Sequence, residues 1–233
     1  MNLSPAVRYV DRDEYILKFC RGKRVLHLGC VGLTDLPSAE RVRLFSETLH
    51  WRLSQIARVV GVDNSANVVA RLREMGMADN IVVGDVQRLG EIEVLRPEFE
   101  VILAADIIEH VSNPGQLLDG IHRLCRVDTD VLITTPNAFG LFNFMRFTAH
   151  RFHEGLEHVM SFNFDNLSNL LKRHGFEQME LCTCHQRTQH LPRGLVWLGR
   201  SILSRLPRLG GTILAHAIVD RQSQMLDPPP TSE

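Results

Sequence analysis

The chain is short of three things. It has no apolar run long enough to cross a bilayer as a helix, so no membrane span is expected. Its 26 lysines and arginines meet 27 aspartates and glutamates, for a formal net charge of -1. That balance excludes coating nucleic acid through bulk positive charge, though not a local basic patch. Cysteine is sparse as well. The five residues Cys20, Cys30, Cys125, Cys182 and Cys184 are odd in number and scattered, and Cys182-x-Cys184 is too tight for a zinc knuckle. They read as reduced, mostly buried thiols. The opening MNLSPAVRYVDRDEYILKF carries charges where a secretory leader needs an apolar stretch, and a cytoplasmic protein is expected. Two phosphate-loop patterns, GxxxxGK[ST] and GxGxxG, are missing too. What is present, 44% apolar and 23% charged residues, fits one domain over residues 1–226, followed by a disordered tail DPPPTSE at 227–233.

Strand-like and helix-like segments alternate. Short apolar runs fall at 24–30, 58–63, 80–85, 99–106, 129–136, 177–185 and 210–220. FEVILAAD (99–106) is almost continuously apolar, as a strand is when helices cover both of its faces. Helical spacing of apolar residues predicts helices over 45–57, 65–76, 113–125 and 163–176, with Ser65 as an N-cap and Gly76 and Gly175 as stops. The segment 33–45 reads as an inserted loop. The pattern predicts an α/β fold, a doubly wound, mostly parallel sheet of seven strands with helices on both faces. Ligands of such sheets bind beyond the C-terminal strand ends.

Those ends carry the candidate residues. Strand one runs into Gly29-Cys30-Val31-Gly32, where glycine lets a ligand approach the backbone. Strand two ends in Asp63-Asn64, a carboxylate suited to the two hydroxyls of a ribose. Asp63 lies 34 residues beyond Gly29, against roughly 20 in dinucleotide folds. Strand three ends in Asp85-Val86, suited to the exocyclic amine of adenine. One such acid is an ordinary turn residue; three such positions at consecutive strand ends describe a nucleoside site.

VLHLGCVG, VVGVDNS, VVGDVQRL and FEVILAADIIEHVSNPGQLLDGIHRLC resemble successive motifs of the class I S-adenosylmethionine-dependent methyltransferases. The last is closest to the branch that includes ubiquinone-type and sugar-type O-methyltransferases, and SFNFDNLSNLLKRHGFE resembles that branch's later helix. The resemblance covers roughly residues 22–183 and implies a Rossmann-like fold and S-adenosyl-L-methionine as cofactor. It places Gly29, Cys30 and Val31 against the methionine part, Asp63 and Asn64 at the ribose, and Asp85 with the Val86 backbone at the adenine. Ala104 or Ala105 would offer a carbonyl to the methionine ammonium, and Asp106 with Ile107 would floor the sulfonium. One position departs: His27 stands where the family has an acid, and a histidine packed under the loop is the reading preferred to a catalytic one.

Methyl transfer is an in-line displacement in which the protein supplies alignment. An amine or thiolate acceptor needs little more, whereas a hydroxyl profits from a base. The candidates are His110 in DIIEHV and His158 in HEGLEHVMSF, with Asn137, Phe139 and His153 as acceptor contacts. Glu109 reads as a brace for a neighbouring element. Asp106, Glu109 and His110 with His153 or His158 also offer donors for a divalent cation, a pattern resembling the small-RNA 2'-O-methyltransferases; the preferred reading assigns no metal.

The phenylalanine-rich stretch 136–162 reads as a lid or acceptor insertion. Residues 193–208 read as an amphipathic helix covering the sheet, with peripheral contact to anionic lipid as the alternative. TPN and the EHV.SF lid resemble bacterial enzymes acting on sugars of glycans. The expected function is O-methylation of a sugar hydroxyl on a glycan or glycolipid precursor. A quinone or other small-molecule methyltransferase, an RNA 2'-O-methyltransferase with a metal, and a non-catalytic S-adenosylmethionine-binding module stay open. Nucleic acid is a disfavoured partner, and oligomeric state is not legible.

Overall fold

The computed structural model describes residues 7–33, 35–149, 157–184 and 201–220. The sheet contains eight strands: β1 (Val7–Tyr9), β2 (Arg24–Leu28), β3 (Arg58–Asp63), β4 (Ile81–Val83), β5 (Val101–Ala105), β6 (Asp130–Pro136), β7 (Phe176–Cys184) and β8 (Thr212–Val219). Their spatial order is β1-β7-β8-β6-β5-β2-β3-β4. β8 runs antiparallel to both neighbours, and every other pair is parallel. Seven strands stand where the apolar runs predict them. The eighth, β1, is a three-residue edge strand pairing with Leu181–Thr183, too short to show an alternation.

Neighbouring strand residues feed opposite faces. Leu26 and Ile102 enter one buried cluster, and Val25, Val101 and Leu103 enter the other. Helices with local start signals cover both faces. In α1 (Arg12–Cys20), the Asp11 side chain accepts from the Glu14 N–H. α4 (Ala66–Glu74) follows Ser65, whose side chain makes no cap bond and accepts from Arg41 instead, and α5 (Pro114–Leu124) starts with proline behind the Asn113 cap. α7 (Phe164–Arg173) has a reciprocal cap between Asn163 and Asn166. The five cysteines are free and buried. No helix among the described residues is long and apolar enough to cross a membrane.

Two regions differ from expectation. The segment read as a loop contains α2 (Ser38–Leu44), and the helix expected over 45–57 is broken. A 3-10 turn, Phe45–Glu47, leads to Thr48, whose side chain caps α3 (Leu49–Ser54) by accepting from the Trp51 N–H. In the stretch after β6, α6 (Leu141–Thr148) buries none of its residues. Of the amphipathic segment 193–208, residues 201–205 are helical and 193–200 lie outside the described residues, as do His153 and the tail.

Candidate active site

The chain leaves β2 towards β3 and β4 on one side of the sheet and reaches β5 and β6 on the other. This reversal opens a crevice at the strand tips. A cleft of ≈ 1230 Å³ occupies it, lined by Gly29, Asp63, Asp85, Ala105, Asp106 and His110 among others. The volume exceeds the roughly 300–1,000 Å³ usual for one small ligand, leaving room for two reactants.

The floor is a left-handed loop. Gly29, Gly32 and Leu33 have φ of 68°, 59° and 55°. A Cβ on Gly29 would stand 2.7 Å from Ile107 Cδ1, so both the backbone angle and the space demand glycine. Cys30 and Val31 are buried and line the cleft. The buried Asp63 carboxylate shapes the loop: Oδ2 accepts from the Val31 N–H at 2.9 Å, and Oδ1 from the Ser65 N–H at 2.9 Å. Each oxygen keeps a lone pair for a further donor. Asn64 and Asp85 are exposed on the same wall, and Asp85 accepts from the Gln87 N–H to start the turn at the buried Val86. Asp63 and Asp85 therefore share one cleft. Ala105 reaches it, but Ala104 sits inside the ladder between Leu28 and Ile133, so of these two expected carbonyls only that of Ala105 is at the tip.

Beneath the loop lies His27, buried against His50 of α3, with their Nδ1 atoms 3.4 Å apart. Burial, with the neighbouring imidazole second, holds His27 neutral well below the ordinary histidine range. Burial also lowers His50 to about 4. The pair is packing with two neutral rings; it supplies no negative charge where the family has an acid.

Charge enters from elements the sequence left unassigned. Arg12, at the start of α1, donates to Asp106 Oδ2 at 2.6 Å and to Thr134 Oγ1. Thr134 in turn donates to Asp106 Oδ1 at 2.8 Å. These contacts hold Asp106 at φ 49°, a conformation unfavourable for a residue with a side chain. Asp13 bridges Arg12 and Arg52, and all of these except Thr134 line the cleft. From α2, Arg41 reaches back to donate to the Gly32 carbonyl and Ser65 Oγ, clamping the glycine loop. No local pattern announces these arginines: Arg12 and Asp106 are 94 residues apart.

Opposite stand the histidines. His110 and His158 meet edge to face with ring centroids 4.6 Å apart, and both line the cleft. Burial first, then His158, lowers His110 below the ordinary range, leaving it a neutral base. Glu109 is buried; Oε2 accepts from Thr135 Oγ1, and its backbone carbonyl accepts from the Val159 N–H, so it does brace the lid segment. Burial, with the charge of Asp106 second, raises its carboxyl well above the usual range.

Two expected acceptor contacts are elsewhere. Asn137 is fully buried; its amide donates to the Arg208 and Gly210 carbonyls and accepts from the Phe139 N–H, so no donor is left for a hydroxyl. It pins the turn before β8. Phe139 is 67% exposed and does not line the cleft.

A family model described as a methyltransferase domain matches residues 11–181. Ubiquinone biosynthesis O-methyltransferases of Pseudomonas aeruginosa (strain UCBPP-PA14) and Rhodopseudomonas palustris (strain BisA53) are each 26% identical, over 50% and 57% of this chain and 45% and 47% of theirs. The chain thus spans about half the length of the curated relatives it matches. Among solved structures, a possible histamine N-methyltransferase of Thermotoga maritima superposes with TM-score 0.61 at 14% identity, covering 91% of this chain and 90% of that one. Phosphoethanolamine N-methyltransferase 2 of Haemonchus contortus, in complex with S-adenosyl-L-methionine, gives 0.53 at 20% identity, covering 90% and 52%. These likenesses show the fold. The family model spans most of the described sheet and its strand-tip cleft, and the chain belongs to the methyltransferase-domain family, within the class I S-adenosylmethionine-dependent methyltransferases.

Proposed function

We propose that this chain methylates a hydroxyl oxygen, on a sugar of a glycan or glycolipid precursor met in the cytoplasm. The residues fit the cofactor. Gly29 lines the cleft with its backbone, Asp63 has lone pairs for ribose hydroxyls, and Asp85 with Val86 stands ready for an adenine edge. The methionine zwitterion finds the Ala105 carbonyl and Asp106 on its ammonium side. Arg12 and Arg52 are the cations for its carboxylate. When bound, the cofactor supplies the electrophilic methyl group.

The observation that carries the hydroxyl reading is the His110–His158 pair, which faces the cleft beside Asp106 and Ile107. An amine or thiolate would not need a pair of imidazoles there; a hydroxyl, a poor nucleophile, profits from one as a base. The exposed, phenylalanine-rich α6 follows β6 at this end of the sheet and suits an acceptor with an apolar portion. The curated relatives' names favour a second reading, a quinone-like small molecule. Peripheral contact with anionic lipid through 193–208 belongs to the glycolipid version of the proposal.

Labelled-methyl transfer into fractionated native extract tests it. Label in a sugar ether supports the proposal. Label in an aromatic small molecule moves the acceptor to the second reading, and label in RNA or protein contradicts both.

A further inference from the structure

We propose that Arg41, carried by the segment inserted between β2 and β3, is a positioning residue for the cofactor: it locks the glycine loop and the Asp63 carboxylate in the shape that receives the ribose and the methionine part. The consequence for the cofactor rests on the methyltransferase reading above; the lock itself does not.

Gly29 and Asp63 are 34 residues apart, against roughly 20 in dinucleotide folds, and α2 lies in the surplus. The helix has no side-chain cap and buries none of its residues, so its own build does not explain it. Its inward contacts run to the loop. Val42 packs on the cluster that holds Cys30 and Val31. Arg41 Nε donates to the Gly32 carbonyl and Nη2 to Ser65 Oγ, both at 2.9 Å. The Asp63 carboxylate in turn accepts from the Val31 and Ser65 N–H groups. Gly32 follows Val31 in the chain, so these bonds close a ring: Asp63, Ser65, Arg41, Gly32, Val31 and back to Asp63. Every member of the ring lines the cleft.

Three observations mark the ring as more than packing. Ser65 precedes α4 and would ordinarily cap it, yet its hydroxyl makes no cap bond and receives Arg41. A local rule gives way here to a tertiary bond, as it does at working sites. The Gly32 carbonyl belongs to the peptide between Gly32 and Leu33, both left-handed with φ of 59° and 55°, and Leu33 carries a side chain that disfavours this angle. Such a conformation persists only where its surroundings impose it, and Arg41 holds this peptide by its oxygen. Beneath the loop the neutral His27, packed on His50, stands where the family has an acid. The added fastening comes from α2 instead.

The first readout is backbone amide exchange in the cofactor-free full chain. In Arg41→Ala the Val31 amide should exchange at least about tenfold faster than in the parent, while the amides of β5 keep their rates. The second is calorimetry with S-adenosylhomocysteine. Arg41→Ala should bind at least about tenfold more weakly. Arg41→Lys should fall in between, since one ammonium does not span both acceptors as the planar guanidinium does. Ser65→Ala should also weaken binding, and the double variant should lose less than the product of the two single losses, as members of one network do. Arg43→Ala removes the same charge from the same helix and should match the parent in both readouts. If Arg41→Ala fails to fold, Arg41→Lys decides by the same comparisons. Equal Val31 exchange in parent and Arg41→Ala, equal affinity, or a loss shared by Arg43→Ala overturns the proposal, as do single losses that multiply in the double variant. A parent that binds no S-adenosylhomocysteine while Val31 exchange responds keeps the lock and sinks the methyltransferase reading instead.

Discussion

The cofactor-side wall of the cleft and the helix that follows β6 are built on different principles. On the cofactor side, buried groups are fastened by short hydrogen bonds: Asp63 to Val31 and Ser65, Arg41 to Gly32, Arg12 to Asp106. The helix after β6, to which the proposal assigns the acceptor, buries nothing, and Phe142, Phe144 and Met145 face solvent. A cofactor whose shape never changes rewards a preorganised wall. An acceptor that differs from enzyme to enzyme is met by long insertions, where change is tolerated.

Acid should break the cofactor side first. His50 is neutral in the fold with a value of about 4, against 6.5 ordinarily. Unfolded chains therefore bind a proton that the native state refuses, and stability falls as pH drops from 6.5 towards 4. The lowered His50 value is worth about 3 kcal/mol over that window, and His27 acts in the same direction. Urea midpoints measured across it should decline steeply, and His50→Gln should flatten the decline.

Gly29→Ala places a Cβ against Ile107 at a left-handed angle and should cost about 1–3 kcal/mol in urea unfolding. Asp63→Asn keeps the shape but weakens the acceptor for loop N–H groups and ribose. Calorimetry should show S-adenosylhomocysteine affinity reduced roughly 10- to 100-fold, about 1–3 kcal/mol. The smallest effect belongs to the helix after β6. Phe142→Ser with Phe144→Ser should move stability by no more than about 0.5 kcal/mol, since both rings are exposed. Cofactor affinity should not change, while KM for an acceptor with an apolar portion should rise.

The same division decides what could be read from the residues. Strand cores such as VLHLG and VILAA announce themselves because both faces are buried, and Asp63 and Asp85 are found by counting to the strand ends. Arg12, Arg41 and Arg52 escaped because their partners are distant in sequence or sit on other elements, and a charged residue near a helix start looks like any solvated one. α2 hides in a stretch with no buried residue to set a period. Asn137 was misread because an amide's partners, here the carbonyls of residues 208 and 210, are visible only after folding. At His27 the departure from the family's acid was legible, but its partner His50 was not.

The central claim is that the strand-tip cleft holds an S-adenosyl cofactor through Asp63 and the glycine loop. Calorimetric titration of S-adenosylhomocysteine into the parent, Asp63→Asn and the Phe142→Ser, Phe144→Ser double variant addresses it directly. The account predicts one equivalent bound by the parent and the double variant with equal affinity, and a clear loss in Asp63→Asn. No heat with the parent, or equal affinity in all three, would contradict it.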